Sequence, residues 1–89
     1  MAYELLIDDM KIWRKDCSKI PPKHLRQILL KVRELEKEPW PENMSVKELA
    51  DYALADFRLR SGDYHVLFDK NEKLKQINLL RVLNRSKLY

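Results

Sequence analysis

The sequence predicts an α+β domain of order β-α-α-β-β-β. Two observations carry that expectation. The first is a change of hydrophobic period: apolar residues recur at spacings of three and four up to about residue 38, then alternate with polar ones after residue 53. The second is the placement of chain breakers. The only glycine, Gly62, falls between two alternating segments, and all four prolines lie within 21–41. Helices come first and a hairpin-rich segment follows, which is the pattern of helices gathered on one face of an antiparallel sheet.

Each element has its own reason. Tyr3-Glu4-Leu5-Leu6-Ile7 is short, apolar and aromatic, and predicts a strand near 2–7. Asp8 or Asp9 suits the N-cap of the helix that follows, near 9–18, because a carboxylate accepts the orphan N–H groups of a first turn. Ile7, Met10, Trp13 and Cys17 mark its apolar side. Pro21-Pro22 interrupts the chain and opens a second helix near 22–38, since proline is tolerated in a first turn. Leu25, Ile28, Leu29, Val32 and Leu35 line one side of this helix, with Lys and Arg mostly on the other. Pro39-Trp40-Pro41 ends it. The two helices form a hairpin.

Ser45-Val46-Lys47-Glu48 matches a capping box and predicts a short helical turn near 46–53. Beyond it, strands are predicted near 54–61, 63–70 and 74–82. Ser61-Gly62-Asp63 and Asp69-Lys70-Asn71-Glu72-Lys73 are the turns between them. This C-terminal three-strand meander completes a small antiparallel sheet with the N-terminal strand. The helical hairpin covers one side, and residues 1–89 make a single domain.

Composition narrows the function classes. Of 89 residues, 45% are apolar and 36% charged, a globular balance, and no apolar run approaches the roughly 20 residues of a membrane span. The first residues lack the basic start of a secretory signal, and Cys17 is the only cysteine, so a reducing, cytoplasmic setting is expected. One cysteine and two separated histidines do not make a metal site, and one glycine does not make a phosphate-cradling loop; no metal and no cofactor are expected.

Charge is unevenly placed. Residues 1–56 carry 10 Lys/Arg against 11 Asp/Glu, whereas residues 57–89 carry 8 against 3, so the whole excess of +4 sits in the last third. An anionic partner and an ordinary solvated basic face both fit this. If Phe57 and Leu59 point to the core, Arg58 and Arg60 share the other face about 7 Å apart, a spacing suited to a phosphate backbone or equally to plain solvent. His65 follows in the next strand, with a ring able to transfer protons near neutrality; His24 is expected at the surface. The closing stretch gathers Arg81, Arg85 and Lys87 beside Tyr89, combining cations with a ring that can stack on a base.

Phe57-Arg58-Leu59-Arg60-Ser61-Gly62-Asp63-Tyr64-His65-Val66-Leu67-Phe68 resembles the central motif of the RelE/ParE toxin superfamily: basic strand, glycine turn, Tyr and apolar strand. Leu80-Arg81-Val82-Leu83-Asn84-Arg85-Ser86-Lys87-Leu88-Tyr89 is similar to that family's closing strand, basic turn and final Tyr. Ile12-Trp13-Arg14-Lys15 and the long basic helix after it fit its N-terminal half. The resemblance implies a helical hairpin on a small sheet and a toxin restrained by a cognate antitoxin. On the favoured RelE side it implies a ribosome-dependent endoribonuclease that cuts mRNA in the A site. The alternatives are a ParE-like poison of DNA gyrase acting by binding, and a catalytically weak RNA-binding relative.

Carried over by position, the resemblance implies Arg58, His65, Arg85 and Tyr89 as the catalytic set. Arg60, Arg81 and Lys87 are then expected to contact RNA phosphate. His65 stands where many RelE-type toxins have an Arg, and Asp56 where some have a Lys. The sequence also stops at Tyr89, without a helix beyond it. Because a His can release a proton and an Arg hardly can, His65 is expected to be the proton-transfer residue.

Overall fold

The computed structural model describes residues 3–37, 40 and 45–84. β1 (Glu4–Ile7) leads into α1 (Met10–Ser18) and α2 (Pro22–Glu34). Then come β2 (Val46–Glu48), β3 (Phe57–Ser61), β4 (Tyr64–Asn71) and β5 (Gln76–Asn84). The α+β order expected from the sequence is present, with one more strand than expected.

The five strands form one sheet in the order β1-β5-β4-β3-β2. β2, β3, β4 and β5 pair antiparallel, while β1 joins β5 in parallel, so the sheet is mixed. Parallel entry of β1 follows from connectivity, because the helical hairpin separates it from the meander. The added strand corrects the helical turn expected near 46–53. Val46, Lys47 and Glu48 pair with Leu59, Arg58 and Phe57, so pairing with a distant strand overrides the local capping pattern.

Local chemistry sets the element ends. The Asp9 side chain accepts from the backbone N–H groups of Lys11 and Ile12 and caps α1. α2 stops at Glu34, short of the expected 38. Trp40 Nε1 donates to the Leu35 carbonyl at 2.9 Å, satisfying a group the helix end leaves open. Gly62 takes φ 58 in the β3–β4 turn. Ser61 pairs with Tyr64 across Gly62 and Asp63, and Asp63 has no positive φ. That is the pattern of a two-residue hairpin with Gly first.

The core lies between the helical hairpin and one sheet face. Trp13, Ile28, Val32 and Leu35 meet Leu59, Val66, Phe68, Ile77, Leu79 and Val82 there. Phe57 and Phe68 stack at 5.4 Å, and Trp40 meets both edge-on. Lys70 Nζ sits 4.6 Å from the Trp40 ring centroid and 5.4 Å from that of Tyr3, and pairs with Glu72.

The opposite face is not bare. Segment 49–56 folds over it, and Leu67 and Ala55 are buried with Leu49, Tyr52, Leu80 and Leu83 against them. Leu67 and Leu83 of this second apolar cluster pair with Arg58 and His65 across the sheet.

Candidate functional site

Strand register brings the predicted residues of β3 and β4 together. Arg60 pairs with His65, Arg58 with Leu67, and His65 with Leu83 on β5. Paired residues share a sheet face, so Arg58, Arg60, His65, Leu67 and Leu83 lie on the side away from the helices. The alternation expected of Phe57-Arg58-Leu59-Arg60 is observed: Leu59 is fully buried in the main core and Arg60 is exposed.

The two arginines differ. Arg60 is exposed, and its Nε lies 3.5 Å from the Gly62 carbonyl oxygen. Lys31 of α2 donates to the Arg60 carbonyl at 3.4 Å, bringing another cation to this rim. Arg58 is half-buried and crosses the β3–β4 pair on the diagonal. Its Nη1 lies 2.8 Å from His65 Nε2.

That contact has one chemical reading. A guanidinium has only donors, so Nη1 donates and Nε2 accepts. That hydrogen bond requires the ring proton on Nδ1, and His65 is only 3% exposed. The expected proton-transfer residue thus stands as a partner of Arg58.

Arg81 is placed differently from its expected phosphate contact. Its Nε and Nη2 donate to Asp16 Oδ2 and Oδ1 at 2.7 and 2.9 Å. These hydrogen bonds hold the guanidinium above its ordinary pKa. The same Oδ2 accepts the Val82 backbone N–H at 3.1 Å. A bulge lies beside Arg81, since Leu67 pairs with Arg81 but Phe68 with Leu79, leaving Leu80 over. Asp16 was not among the predicted site residues. The signal for it was its position three after Trp13, on the buried side of α1, where a carboxylate requires a partner. Arg85, Lys87 and Tyr89 lie outside the described residues.

The far end of the same face has opposite character. Asp69 accepts the Asp56 backbone N–H at 2.8 Å; burial raises its carboxyl above the ordinary value, with the Asp56 amide lowering it and the Asp56 charge raising it. A shallow depression of about 540 Å³ lies at that end, with Leu6, Asp69, Asn71, Gln76 and Asn78 in its walls, away from the arginines. Among the described residues no three His, Cys, Asp or Glu side chains come together as metal ligands. No helix among them is long and apolar enough to cross a membrane.

No family model matches the chain, and no curated protein matches it. Solved structures do. The archaeal RelE–RelB complex from Pyrococcus horikoshii OT3 contains a chain 32% identical to this one, with a TM-score of 0.76, covering 98% of this chain and 99% of that one. The chain belongs to the RelE/ParE toxin superfamily. The RelB–RelE antitoxin–toxin complex from Methanococcus jannaschii is similar at 25% identity and TM-score 0.72, covering 94% of each chain. The RelBE2 toxin–antitoxin complex from Mycobacterium tuberculosis shares the fold at 24% identity and TM-score 0.75, covering 98% of this chain and 95% of that one. Within this RelE fold, the open end of β3 and β4 carries Arg58, Arg60 and His65, and β5 runs past them toward the closing basic segment.

Proposed function

We propose that this chain is the toxin of a type II toxin–antitoxin pair and acts as a ribosome-dependent endoribonuclease on mRNA. The observation that carries the reading is the placement of Arg58 and Arg60 on one face of β3 beside His65, within a RelE-like chain. Cleavage through the ribose 2′-hydroxyl builds negative charge on a pentavalent phosphate. Cations fixed at that point lower the barrier. Arg58 and Arg60 supply two of them, and Arg85 a third. Tyr89 stacks on the nucleotide, and Lys87 contacts the flanking phosphate. Arg81 is left out of the phosphate set because Asp16 holds its fork.

The open site explains the need for the ribosome. A shallow sheet face orients a flexible RNA poorly, whereas a strand already held in the decoding site arrives in a fixed geometry. The reaction places the protein in the cytoplasm. Its cognate antitoxin covers the basic last third with an acidic or amphipathic segment, blocking the anionic substrate.

The test is primer extension on mRNA engaged with ribosomes, with wild type, Arg85→Ala and Tyr89→Ala at matched concentration. Wild type is expected to cut, and both variants to lose cleavage and relieve growth arrest. Uncut mRNA with gyrase-dependent DNA damage would replace this reading with the ParE-like one.

A further inference from the structure

We infer that His65 is the positioning residue for Arg58, holding that guanidinium at the phosphate site through its Nε2 acceptor. The inference rests on the ribonuclease reading above and assigns His65 a role other than proton transfer.

Three observations converge on it. Arg58 Nη1 and His65 Nε2 are 2.8 Å apart, and only the ring can accept. His65 is 3% exposed and held between β3 and β5 by its pairing with Arg60 and Leu83, so the acceptor is fixed by the sheet. Arg58 itself is half-buried, and its Nε finds no partner among the described residues, so its long side chain is set from its tip. A neutral acceptor leaves the arginine its full charge, which a carboxylate partner would offset. Asp16 does the latter to Arg81. The two arginines are thus sorted by partner: Arg81 is neutralised and tied to α1, and Arg58 is aimed but left cationic.

Among the described residues, the charged side chains that strand register brings beside His65 are arginines. Arg58 and Arg60 approach from β3 and Arg81 lies on the diagonal from β5. A proton added at Nε2 would replace the acceptor with a donor facing a donor.

Two measurements test this on the full chain. The first is the nitrogen-15 NMR signature of the histidine rings near pH 7, with exposed His24 as the internal reference. His65 is expected as the neutral ring protonated at Nδ1; a proton on Nε2, or on both nitrogens, overturns the inference. The second is a cleavage cycle. His65→Leu and Arg58→Ala are each expected to lower the rate constant about 10²–10³-fold. The double variant should be no worse than either, because both remove one aimed charge. His65→Gln, whose side-chain oxygen restores an acceptor, should recover most of that loss, with KM unchanged. Equal loss of about 10²–10⁴-fold in His65→Gln and His65→Leu, multiplying with Arg58→Ala, would mark a proton-transfer residue instead. Thermal unfolding of each variant separates lost aim from lost fold. Wild-type protein that leaves ribosome-engaged mRNA uncut counts against the ribonuclease reading alone, since the ring tautomer decides the Arg58 contact either way.

Discussion

Asp16 and Arg81, 65 positions apart, form a two-pronged ion pair in which the carboxylate also takes the backbone N–H of Val82. β1 stops pairing with β5 at Leu79, so the outer edge of β5 would be open from there. Asp16 fills that edge from α1 and acts where the next strand would have been. An unpaired edge invites pairing with other chains, and a buried carboxylate closes it.

Replacing Asp16 with Ala should therefore cost about 2–3 kcal/mol of stability, from a lost charge-assisted fork and an unsatisfied strand N–H. Asp16→Asn keeps an acceptor for Val82 and should cost less. Urea unfolding of the two variants checks this. A loss within the scatter of ordinary surface substitutions would show that Arg81 and Val82 find water instead.

Arg60 should separate function from stability. It is exposed and its side chain reaches only the Gly62 carbonyl among the described residues. Arg60→Ala should shift stability by no more than about 0.5 kcal/mol, the usual range for a surface site. Cleavage of ribosome-engaged mRNA should fall roughly 10- to 10²-fold if its cation faces the phosphate. Melting temperature and primer extension on the same preparation measure both.

Glu72 predicts the acid limb of stability. Hydrogen bonds from Lys70, then from Tyr3, hold its carboxyl down to about 2 from an ordinary 4.5. A carboxylate lowered in the folded state contributes stability above its ordinary value and loses it as pH falls toward the folded value. Glu72→Gln should therefore melt lower than wild type near neutrality. The two curves should converge as pH drops from 4.5 toward 2. Parallel curves across that window would mean that the Lys70–Glu72–Tyr3 contacts do not persist in solution.

Gly62→Ala tests backbone strain without a steric clash. A Cβ there meets no atom within 4 Å, yet φ is +58. The left-handed conformation alone should cost about 1 kcal/mol. That is a drop of about 4–8 °C in melting temperature for a chain of this size.

How much of this was legible in the sequence depended on distance along the chain. The α1 cap, the Pro22 helix start and the Gly62 turn are decided within a few residues, and the sequence predicts each, with the cap left between Asp8 and Asp9 and filled by Asp9. The face shared by Arg58, Arg60 and His65 follows from alternation across one tight turn. Ser45–Glu48 misleads because a capping box and an edge strand look alike locally, and Leu59, thirteen residues on from Val46, decides between them. Asp16 and Arg81 carry no mutual signal at all, and only packing of α1 against β5 makes them partners. His65 was legible as a candidate, whereas its contact with Arg58 was not, since that contact runs diagonally across two strands.

The strand order has a further consequence for biosynthesis. β5 is the last of the described strands in chain order, yet it sits inside the sheet, bonded to β1 on one side and β4 on the other. A nascent chain cannot seat β1, or close the β4 side, until that segment has cleared the exit tunnel. The slow step of assembly joins residues near the two ends of the sheet-forming region. Until then the helical hairpin has only the β2–β4 part of the sheet to pack on. A binding partner already present in the cell meets this protein first as an unfinished fold.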